Sequence, residues 1–191
     1  MDEQQRPSFS IEPPKQSLAA LLYDYLEIFI YSAIIVLLIF TFFIRLTNVV
    51  GPSMEDTLLE NEKLLISNLF YEPEQGDIVV FHELGYYNEP IVKRIIATEG
   101  QVVDIDFDTW TVTVDGVVVE EDYRKLTAGT QLTSDYTYPM TVPENCLFVM
   151  GDNRNMSADS RSSLIGFVDC RQLLGRVICR LTPIDRFGAV D

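Results

Sequence analysis

Residues 91–119 read IVKRIIATEGQVVDIDFDTWTVTVDGVVV, and their pattern indicates the fold class of the chain. Its apolar runs are short and rich in β-branched residues, which is typical of strands rather than helices. The pair Asp115-Gly116 stands between two valine-containing runs and predicts a two-residue hairpin turn. We expect four strands here, over residues 91–98, 101–106, 109–114 and 117–119.

The same pattern continues on both sides of this stretch. From residue 48 onward there is no long apolar stripe with the 3.6-residue period of a helix, and there is no internal repeat. Further strands are predicted over Lys63–Ser67, Asp77–Phe81, Cys146–Met150 and Leu174–Leu181. The predicted fold class is therefore mainly β.

One segment near the N-terminus differs from the rest. Residues 28–44 read IFIYSAIIVLLIFTFFI, a charge-free run of 17 residues between Glu27 and Arg45. At about 1.5 Å per residue a helix of this length spans roughly 25 Å, which is the short end for a membrane span. The stretch Leu18–Leu26 can extend the helix on its N-terminal side. We expect one uncleaved transmembrane helix.

Three other interpretations of this segment compete. A cleaved signal peptide has a basic flank and a small-x-small site, whereas here the flank is acidic and Arg45-Leu46-Thr47 follows. A mitochondrial targeting sequence is rich in arginine and poor in acids, unlike this one. A buried core helix is disfavoured because a single very apolar stretch stands beside an otherwise acidic domain.

Composition excludes several functional classes. The net charge is −15, so the basic footprint of a nucleic-acid-binding protein is missing. One histidine and three cysteines exclude a zinc finger of the usual spacing and a histidine-rich metal centre, and no cofactor is predicted. Catalysis must use Ser, Lys, Asp or Glu, or depend on His82 alone. An acidic surface would also be repelled by anionic lipid, so any membrane attachment is hydrophobic.

The first candidate for chemistry is the sequence GPSM at residues 51–54. Gly51 and Pro52 favour a turn that leaves the hydroxyl and backbone N–H of Ser53 exposed. A serine becomes a nucleophile when a base takes its proton and donors stabilise the oxyanion. The alternative is a turn serine that satisfies local backbone groups.

The second candidate is Lys93, in the predicted strand IVKRII at residues 91–96. Strand alternation places it on one face with Ile91 and Ile95. Desolvation disfavours an ammonium ion, so the pKa of such a lysine falls and its neutral amine can act as a general base. The alternative is an edge-strand lysine whose amine reaches water.

The third candidate is the loop GDNRNMSADSR at residues 151–161. Its Asp and Arg side chains can lock a loop through charge-assisted hydrogen bonds, and a positioned serine can orient a nearby amine. The alternative is an ordinary surface loop of Asx and Ser/Thr turns.

Taken together and in this order, these motifs resemble the bacterial type I signal peptidase (leader peptidase) family. The matched pieces are GPSMEDTL at 51–58, GDIVVF at 76–81, VKRII at 92–96, GDNRNMSADSR at 151–161 and GFV at 166–168. The resemblance implies a Ser/Lys dyad in place of a Ser-His-Asp triad, with Ser53 as nucleophile and Lys93 as general base. It also implies that the Ser53 N–H donates to the oxyanion.

By the same resemblance, Ser157 hydrogen-bonds the base lysine, and loop residues Asp152, Asp159 and Arg161 support the dyad. Val49 and Val92 occupy positions that line shallow pockets for small side chains at −1 and −3 of the substrate. The implied substrates are signal-peptide-bearing preproteins, cut after a small-x-small site, and the implied function needs no metal, cofactor or nucleic acid.

The implied architecture is an antiparallel-sheet catalytic domain with a small β-subdomain, preceded by one transmembrane helix. We expect a cytoplasmic tail over residues 1–26, a membrane anchor over 27–47, and an extracytoplasmic catalytic domain over 48–191. Residues 106–145 resemble the small, variable β-subdomain. The lipid bilayer is thus an expected partner of the chain.

The chain departs from the family pattern at three positions, and two other functions compete. Gly51 stands where some relatives have a serine that supplies a second oxyanion donor, Asp56 where proline is usual, and Met156 where asparagine is common. A self-cleaving repressor with a Ser/Lys dyad would lack the apolar segment. A non-catalytic anchored β-domain would keep its function without Ser53 and Lys93.

Overall fold

A computed structural model describes residues 17–42, 44–83, 89–127 and 133–190 of the chain. Its contacts divide the chain into two units, one ending at Ile39 and the other beginning at Phe40.

The first unit contains most of a single α-helix, α1, over Leu18–Phe42. Ser17 caps this helix, since its hydroxyl accepts a hydrogen bond of 3.2 Å from the Ala20 N–H. Residues Leu18–Phe40 are exposed and mostly apolar, and at 23 residues they are long enough to cross a bilayer. The helix begins inside the predicted tail (residues 1–26), as the proposed extension over Leu18–Leu26 requires.

The second unit contains a seven-stranded sheet in which neighbouring strands are antiparallel. Its strands are β1 Arg45–Asn48, β2 Lys63–Ser67, β3 Ile78–Phe81, β4 Ile91–Ala97, β9 Cys146–Met150, β10 Val168–Asp169 and β11 Leu173–Thr182. Their order across the sheet is β1-β2-β11-β3-β4-β9-β10. Strand β4 therefore lies inside the sheet, with β3 on one side and β9 on the other.

A smaller antiparallel sheet has the order β7-β6-β5-β8. Its strands are β5 Val102–Asp106, β6 Thr111–Val114, β7 Val117–Val118 and β8 Met140–Thr141. The hairpin predicted at Asp115-Gly116 joins β6 to β7, and both turn residues have positive φ, 52° and 79°. These angles are those of a type I′ turn.

The mainly β fold class is confirmed, and the eight predicted strands all form within two residues of their expected bounds. Three short strands were not predicted: β1, β8 and β10. Strand β1 occupies residues that the sequence placed in the anchor (27–47), so the helical part of that segment ends earlier, at Phe42. The small sheet begins at Val102 rather than near 106.

Three apolar clusters fill the domain. One, which we call the lower core, contains Met54 and Leu58 beside the predicted nucleophile, together with Val49, Leu64, Ile66, Ile78, Val80, Val92 and Val177. The second packs the small sheet against Phe148 and Met150, and the third lies around Phe81, Ile95 and Val149. Strand β4 contributes to all three, through Val92, Ile95 and the pair Ile96-Ala97.

Candidate active site

Ser53 lies on a closed loop, residues 49–62, that we call the nucleophile loop. Its ends are joined by hydrogen bonds of 2.9 Å from the Val49 N–H to the Glu62 carbonyl and from the Asn61 N–H to the Val49 carbonyl. Met54 and Leu58 are buried in the lower core and anchor the loop from inside. Gly51, at φ +78°, makes the bend that leads to Ser53, where a residue other than glycine would be strained.

Lys93 reaches this loop from strand β4. Its Nζ lies 2.7 Å from the Ser53 Oγ and donates a second hydrogen bond of 3.0 Å to the Val92 carbonyl. The Lys93 side chain is only 2% exposed. The structure thus brings together the two residues that the sequence predicted as a dyad, although 40 positions separate them.

The environment of Lys93 changes its acidity. Burial removes the ammonium ion from water and lowers the pKa of Lys93 from 10.5 to about 8. The carboxylates of Asp159 and Asp152 act in the opposite direction by stabilising the charged form, and Arg161 again favours the neutral form. A substantial fraction of neutral amine is therefore present near pH 8.

The loop over residues 151–161, which we call the GDNR loop, holds the backbone on both sides of the nucleophile. The Asn153 N–H donates to the Ser53 carbonyl at 3.0 Å, and the Asn153 side-chain amide donates to the Pro52 carbonyl at 3.1 Å. Gly151 lies so close that a Cβ atom there would be 2.4 Å from the Ser53 carbonyl oxygen. The two loops are therefore packed without space for a side chain at this point.

Two buried Asp–Arg pairs stiffen the site. Arg94 binds both carboxylate oxygens of Asp152, at 3.0 and 2.8 Å, and the Thr57 hydroxyl donates to the same carboxylate at 2.5 Å. Arg161 binds both oxygens of Asp159 at 2.7 Å. Burial alone would raise the pKa of Asp159, but Arg161 and the Gly151 N–H outweigh it, so that pKa lies below its usual value.

Ser157 does not make the predicted hydrogen bond. In the described parts of the chain, Lys93 donates to Ser53 and Val92, while the Ser157 Oγ is buried and has no hydrogen-bond partner. The hydroxyl is close enough to Asp159 to help lower the pKa of that carboxyl, but the geometry is not that of a hydrogen bond. The physical reason is that Ser157 packs against Gly151, inside the GDNR loop.

A cleft of about 490 Å³ opens beside the dyad, with Val50 and Gly51 on one side and Met156 and Ala158 on another; the other lining residues are Ser53, Glu89, Pro90, Ile91, Val92 and Lys93. Val92 lies in the wall, as predicted. Val49 does not: it is 2% exposed and packs in the lower core, whereas Val50 is 59% exposed. The valine of this segment that lines the cleft is thus Val50, one residue after the predicted Val49.

Donors for an oxyanion are partly in place. In the portion of the chain that the structure describes, the Ser53 N–H has no hydrogen-bond acceptor. Gly51 contributes no side-chain hydroxyl. Within the same described ranges, no group of three His, Cys, Asp or Glu residues could hold a metal ion.

Sequence reasoning assigned no role to Arg94, Thr57 or Asn153. The signal for Arg94 was its place in a buried strand, where a guanidinium needs a carboxylate partner. Nothing in the sequence indicated which of the many acids would be that partner, because Asp152 is 58 positions away.

Comparison with known proteins gives consistent matches. Residues 22–182 match the profile of a family described as signal peptidase, peptidase S26. Signal peptidase I of Bacillus licheniformis is 36% identical over 179 residues, which cover 89% of this chain and 94% of the relative. Signal peptidase I of Leptolyngbya laminosa is 32% identical over 168 residues, or 82% and 78% of the two chains. A crystal structure of a signal peptidase I from Enterococcus faecalis V583 is 31% identical, with a TM-score of 0.46 over 56% of this chain and 97% of that one. The resemblance inferred from the motifs is confirmed, and the chain belongs to the signal peptidase family, peptidase family S26.

Proposed function

We propose that this signal peptidase removes signal peptides from exported preproteins with Ser53 as nucleophile and Lys93 as general base. The observation that carries the proposal is the 2.7 Å separation between the Lys93 Nζ and the Ser53 Oγ, with Lys93 almost fully buried. A surface lysine would be protonated near neutral pH, and a lysine without a nearby hydroxyl would have no proton to accept.

In the acylation step, the Ser53 Oγ attacks the scissile carbonyl carbon while its proton passes to the neutral Lys93 amine. The tetrahedral intermediate collapses as the Lys93 ammonium returns that proton to the leaving amine of the mature protein. The signal peptide then remains as an ester on Ser53. This sequence is the Ser/Lys variant of covalent serine catalysis.

In the deacylation step, a water molecule attacks the ester carbonyl and gives one proton to Lys93. Collapse of the second intermediate restores the Ser53 hydroxyl with the proton held by Lys93 and releases the signal peptide, whose new carboxyl group then loses its remaining proton to water. The same amine therefore acts as base and then acid in both half-reactions.

The negative charge of each intermediate needs hydrogen-bond donors. The Ser53 N–H, which no described acceptor occupies, supplies one. Since Gly51 has no hydroxyl, a second donor has to come from another group. Asp152, Asp159 and Arg161 serve by holding the GDNR loop against the Ser53 backbone.

Ser157 has a role that depends on the protonation state of Lys93. A neutral Lys93 amine that accepts a hydrogen bond from the Ser53 hydroxyl has two N–H donors, one of which is used by the Val92 carbonyl. The Ser157 hydroxyl is buried and has no partner in the described parts of the chain, so it is available as an acceptor for the other. In this state Ser157 would orient the amine toward Ser53.

Substrate choice and location follow from the cleft and the helix. The apolar wall formed by Val50 and Val92 suits small side chains at −1 and −3 of a preprotein. We propose that the part of α1 that follows residue 26 spans the cell membrane, with residues 1–26 on the cytoplasmic side and the catalytic domain outside. A substrate held in the same bilayer by its own apolar signal segment would then meet the site at a raised effective concentration.

The test is cleavage of a purified precursor protein by the full chain in detergent. Wild type should cut after a small-x-small site, located by mass spectrometry of both products, whereas Ser53→Ala and Lys93→Ala should be inactive. Ser163→Ala and Lys63→Ala, which alter exposed residues of the same types outside the cleft, are the matched controls. Cleavage by folded Ser53→Ala would refute the proposed nucleophile, and no cleavage by folded wild type would favour an anchored, non-catalytic domain.

Orientation is tested separately in sealed vesicles. External protease should digest the catalytic domain in vesicles whose outer face is the extracytoplasmic one, and should spare it in inverted vesicles. The opposite pattern would overturn the proposed topology.

A further inference from the structure

We propose that the C-terminal segment, residues 180–190, is a positioning element for the reaction, and that Arg186 and Arg180 hold the nucleophile loop in the place where Ser53 meets Lys93. The inference rests on the proposed function, because it assigns these arginines to the geometry of that dyad. Neither residue touches the cleft, so both act through other groups.

The first link is a buried carboxylate. Glu62, at the end of the nucleophile loop, is 2% exposed. Its two oxygens accept hydrogen bonds from Arg186 at 2.6 Å and from Arg180 at 3.2 Å. A carboxylate removed from water to this extent is stable only with such partners, so the loop end has one favoured location, against the two guanidinium groups.

The second link is the backbone of the same loop. Arg180 also donates to the Thr57 carbonyl at 2.9 Å, and Arg186 donates to it at 3.2 Å. The two arginines therefore bind the loop at its end, Glu62, and in its middle, at Thr57, which is only four residues beyond Ser53. Rigid forks of this kind fix direction as well as distance.

The third link connects these contacts of the two arginines to Lys93. The hydroxyl of Thr57 donates to Asp152 at 2.5 Å, and Asp152 is held on both oxygens by Arg94. Arg94 follows Lys93 directly in strand β4. The C-terminal segment is thus connected to the strand that carries the base. The arginines bind the Thr57 carbonyl, the Thr57 hydroxyl binds Asp152, and Asp152 binds Arg94.

The C-terminal segment is itself fixed to the sheet. Arg180, in β11, exchanges backbone hydrogen bonds of 2.8 and 3.2 Å with Gly188, and its Nε donates to the Arg186 carbonyl at 2.6 Å. Arg186 lies in a short 3₁₀ turn, Ile184–Arg186, and Val190 packs against the lower core that contains Val49. The backbone that carries the two guanidinium groups is therefore held in place by the sheet and by the lower core.

This arrangement predicts a particular kinetic effect. Without Arg186 the loop keeps its apolar anchors, Met54 and Leu58, but loses one of the two guanidinium groups that set its position. A displacement of the Ser53 hydroxyl by a fraction of an ångström to 1 Å weakens the attack geometry, which can cost about 10- to 100-fold in rate. The cleft that binds the peptide does not include the arginines, so substrate affinity should change little.

The experiment measures kcat, KM and the thermal unfolding midpoint for the full chain in detergent with the same precursor protein. Arg186→Ala should lower kcat at least 10-fold, with KM within about 2-fold of wild type, at a temperature where the variant is fully folded. Arg186→Lys should recover only part of kcat, because an ammonium restores the charge and not the fork. The matched control is Arg171→Ala, whose 88% exposed guanidinium pairs with Asp169 outside the cleft and should leave kcat unchanged.

The pH profile separates positioning from a change in the base. The groups that shift the pKa of Lys93 do not include Arg186, so the rising limb of kcat/KM should keep its midpoint in Arg186→Ala. A folded variant with wild-type kcat and only a lower unfolding midpoint would overturn the proposal. If Arg186→Ala does not fold, the same criteria apply to Arg186→Lys. Failure of wild type to cleave would instead refute the proposed function.

Discussion

Gly151 and Ser157 are packed so closely that no side chain fits between them. A Cβ atom on Gly151 would lie 2.3 Å from the Ser157 Oγ and 2.4 Å from the carbonyl oxygen of Ser53. Both distances are far below van der Waals contact, and one of the two atoms belongs to the backbone. The glycine is therefore required for the contact between the GDNR loop and the nucleophile loop.

Gly151→Ala should consequently reduce activity more than stability. The methyl group has to push the Ser53 backbone or the GDNR loop away, and a shift of about 1 Å at the nucleophile can cost about 100-fold in kcat. The measurement is kcat with a precursor protein, alongside the thermal unfolding midpoint.

Gly100→Ala is the control for this prediction. Gly100 has φ +78° and nothing within 4 Å of its missing Cβ, so alanine there costs about 1 kcal/mol of backbone strain without a clash. It should lower the unfolding midpoint and leave kcat intact. Equal kcat values for Gly151→Ala and wild type would show that the loops can separate without disturbing Ser53.

The activity of the enzyme should rise with pH through the pKa of Lys93. The base has to be neutral, and burial lowers the pKa of Lys93 to about 8. A plot of kcat/KM against pH should therefore rise with a midpoint near pH 8 and level off above it. An ordinary exposed lysine would place this midpoint above 10. The measurement is kcat/KM between pH 6 and 10 under conditions where chemistry limits the rate.

Lys93→Arg provides the matched variant for the pH experiment. Guanidinium stays protonated across this range and cannot accept the Ser53 proton, so the variant should be inactive at every pH tested. Lys63→Arg, which changes an exposed lysine of β2, should retain both the rate and the midpoint. A pH-independent rate in wild type would contradict the proposal of an amine base.

The strand pattern and the dyad were predictable because each rests on local information. A short run of apolar, β-branched residues located β4, and the Asp115-Gly116 pair located the hairpin between β6 and β7, since both signals lie within a few residues. The motifs identified Ser53 and Lys93 without any knowledge of the distance between them. Strands of two residues, such as β8 and β10, are too short to show a period at all.

The wall of the cleft was less predictable, for a geometric reason. Val49 and Val50 are adjacent in an irregular segment, and a shift of one residue exchanges the buried side for the exposed one. No periodicity in residues 49–53 decides between the two. The partner of Arg94, Asp152, was equally unpredictable. A charge in a buried strand requires a counter-ion, but the sequence does not indicate where in the chain that counter-ion lies.

The Thr57 hydroxyl should prove necessary for the rigidity of the site. It donates to the Asp152 carboxylate at 2.5 Å, and Asp152 also accepts two hydrogen bonds from Arg94. Thr57→Val keeps the shape of the side chain and removes this donor, which should destabilise the fold by about 1–3 kcal/mol because the hydrogen bond is made to a charged group. Chemical denaturation measures the change, and Thr137→Val, which alters an exposed threonine, is the control.

Thr57→Ser distinguishes the lost hydrogen bond from altered packing. Serine retains the hydroxyl and lacks only the methyl group, so its stability should lie close to wild type. If Thr57→Ser and Thr57→Val were destabilised equally, the methyl contact rather than the hydrogen bond would account for the effect.

Lys93 should also lower the stability of the protein it activates. Its pKa is about 8 in the folded chain and 10.5 when unperturbed, so between these values the folded state binds fewer protons than the unfolded state. Stability therefore rises with pH from about 8 to 10.5, and below pH 8 the full cost of burying the ammonium ion applies. That cost is about 3 kcal/mol, from the difference between the two pKa values. Lys93→Met, which has a similar length and no charge, should thus be inactive but up to about 3 kcal/mol more stable than wild type at pH 7.

The pH dependence of this gain identifies its origin. The stability difference between Lys93→Met and wild type should shrink steadily from pH 8 to 10.5, because in this range folded wild type has lost the Lys93 proton and the unfolded chain still holds it. Chemical denaturation at pH 7, 9 and 10.5 measures it, and Lys63→Met, at an exposed position, should show no comparable gain at any of these values. A gain for Lys93→Met that stayed constant with pH would mean that better apolar packing, and not removal of a buried charge, stabilises the variant.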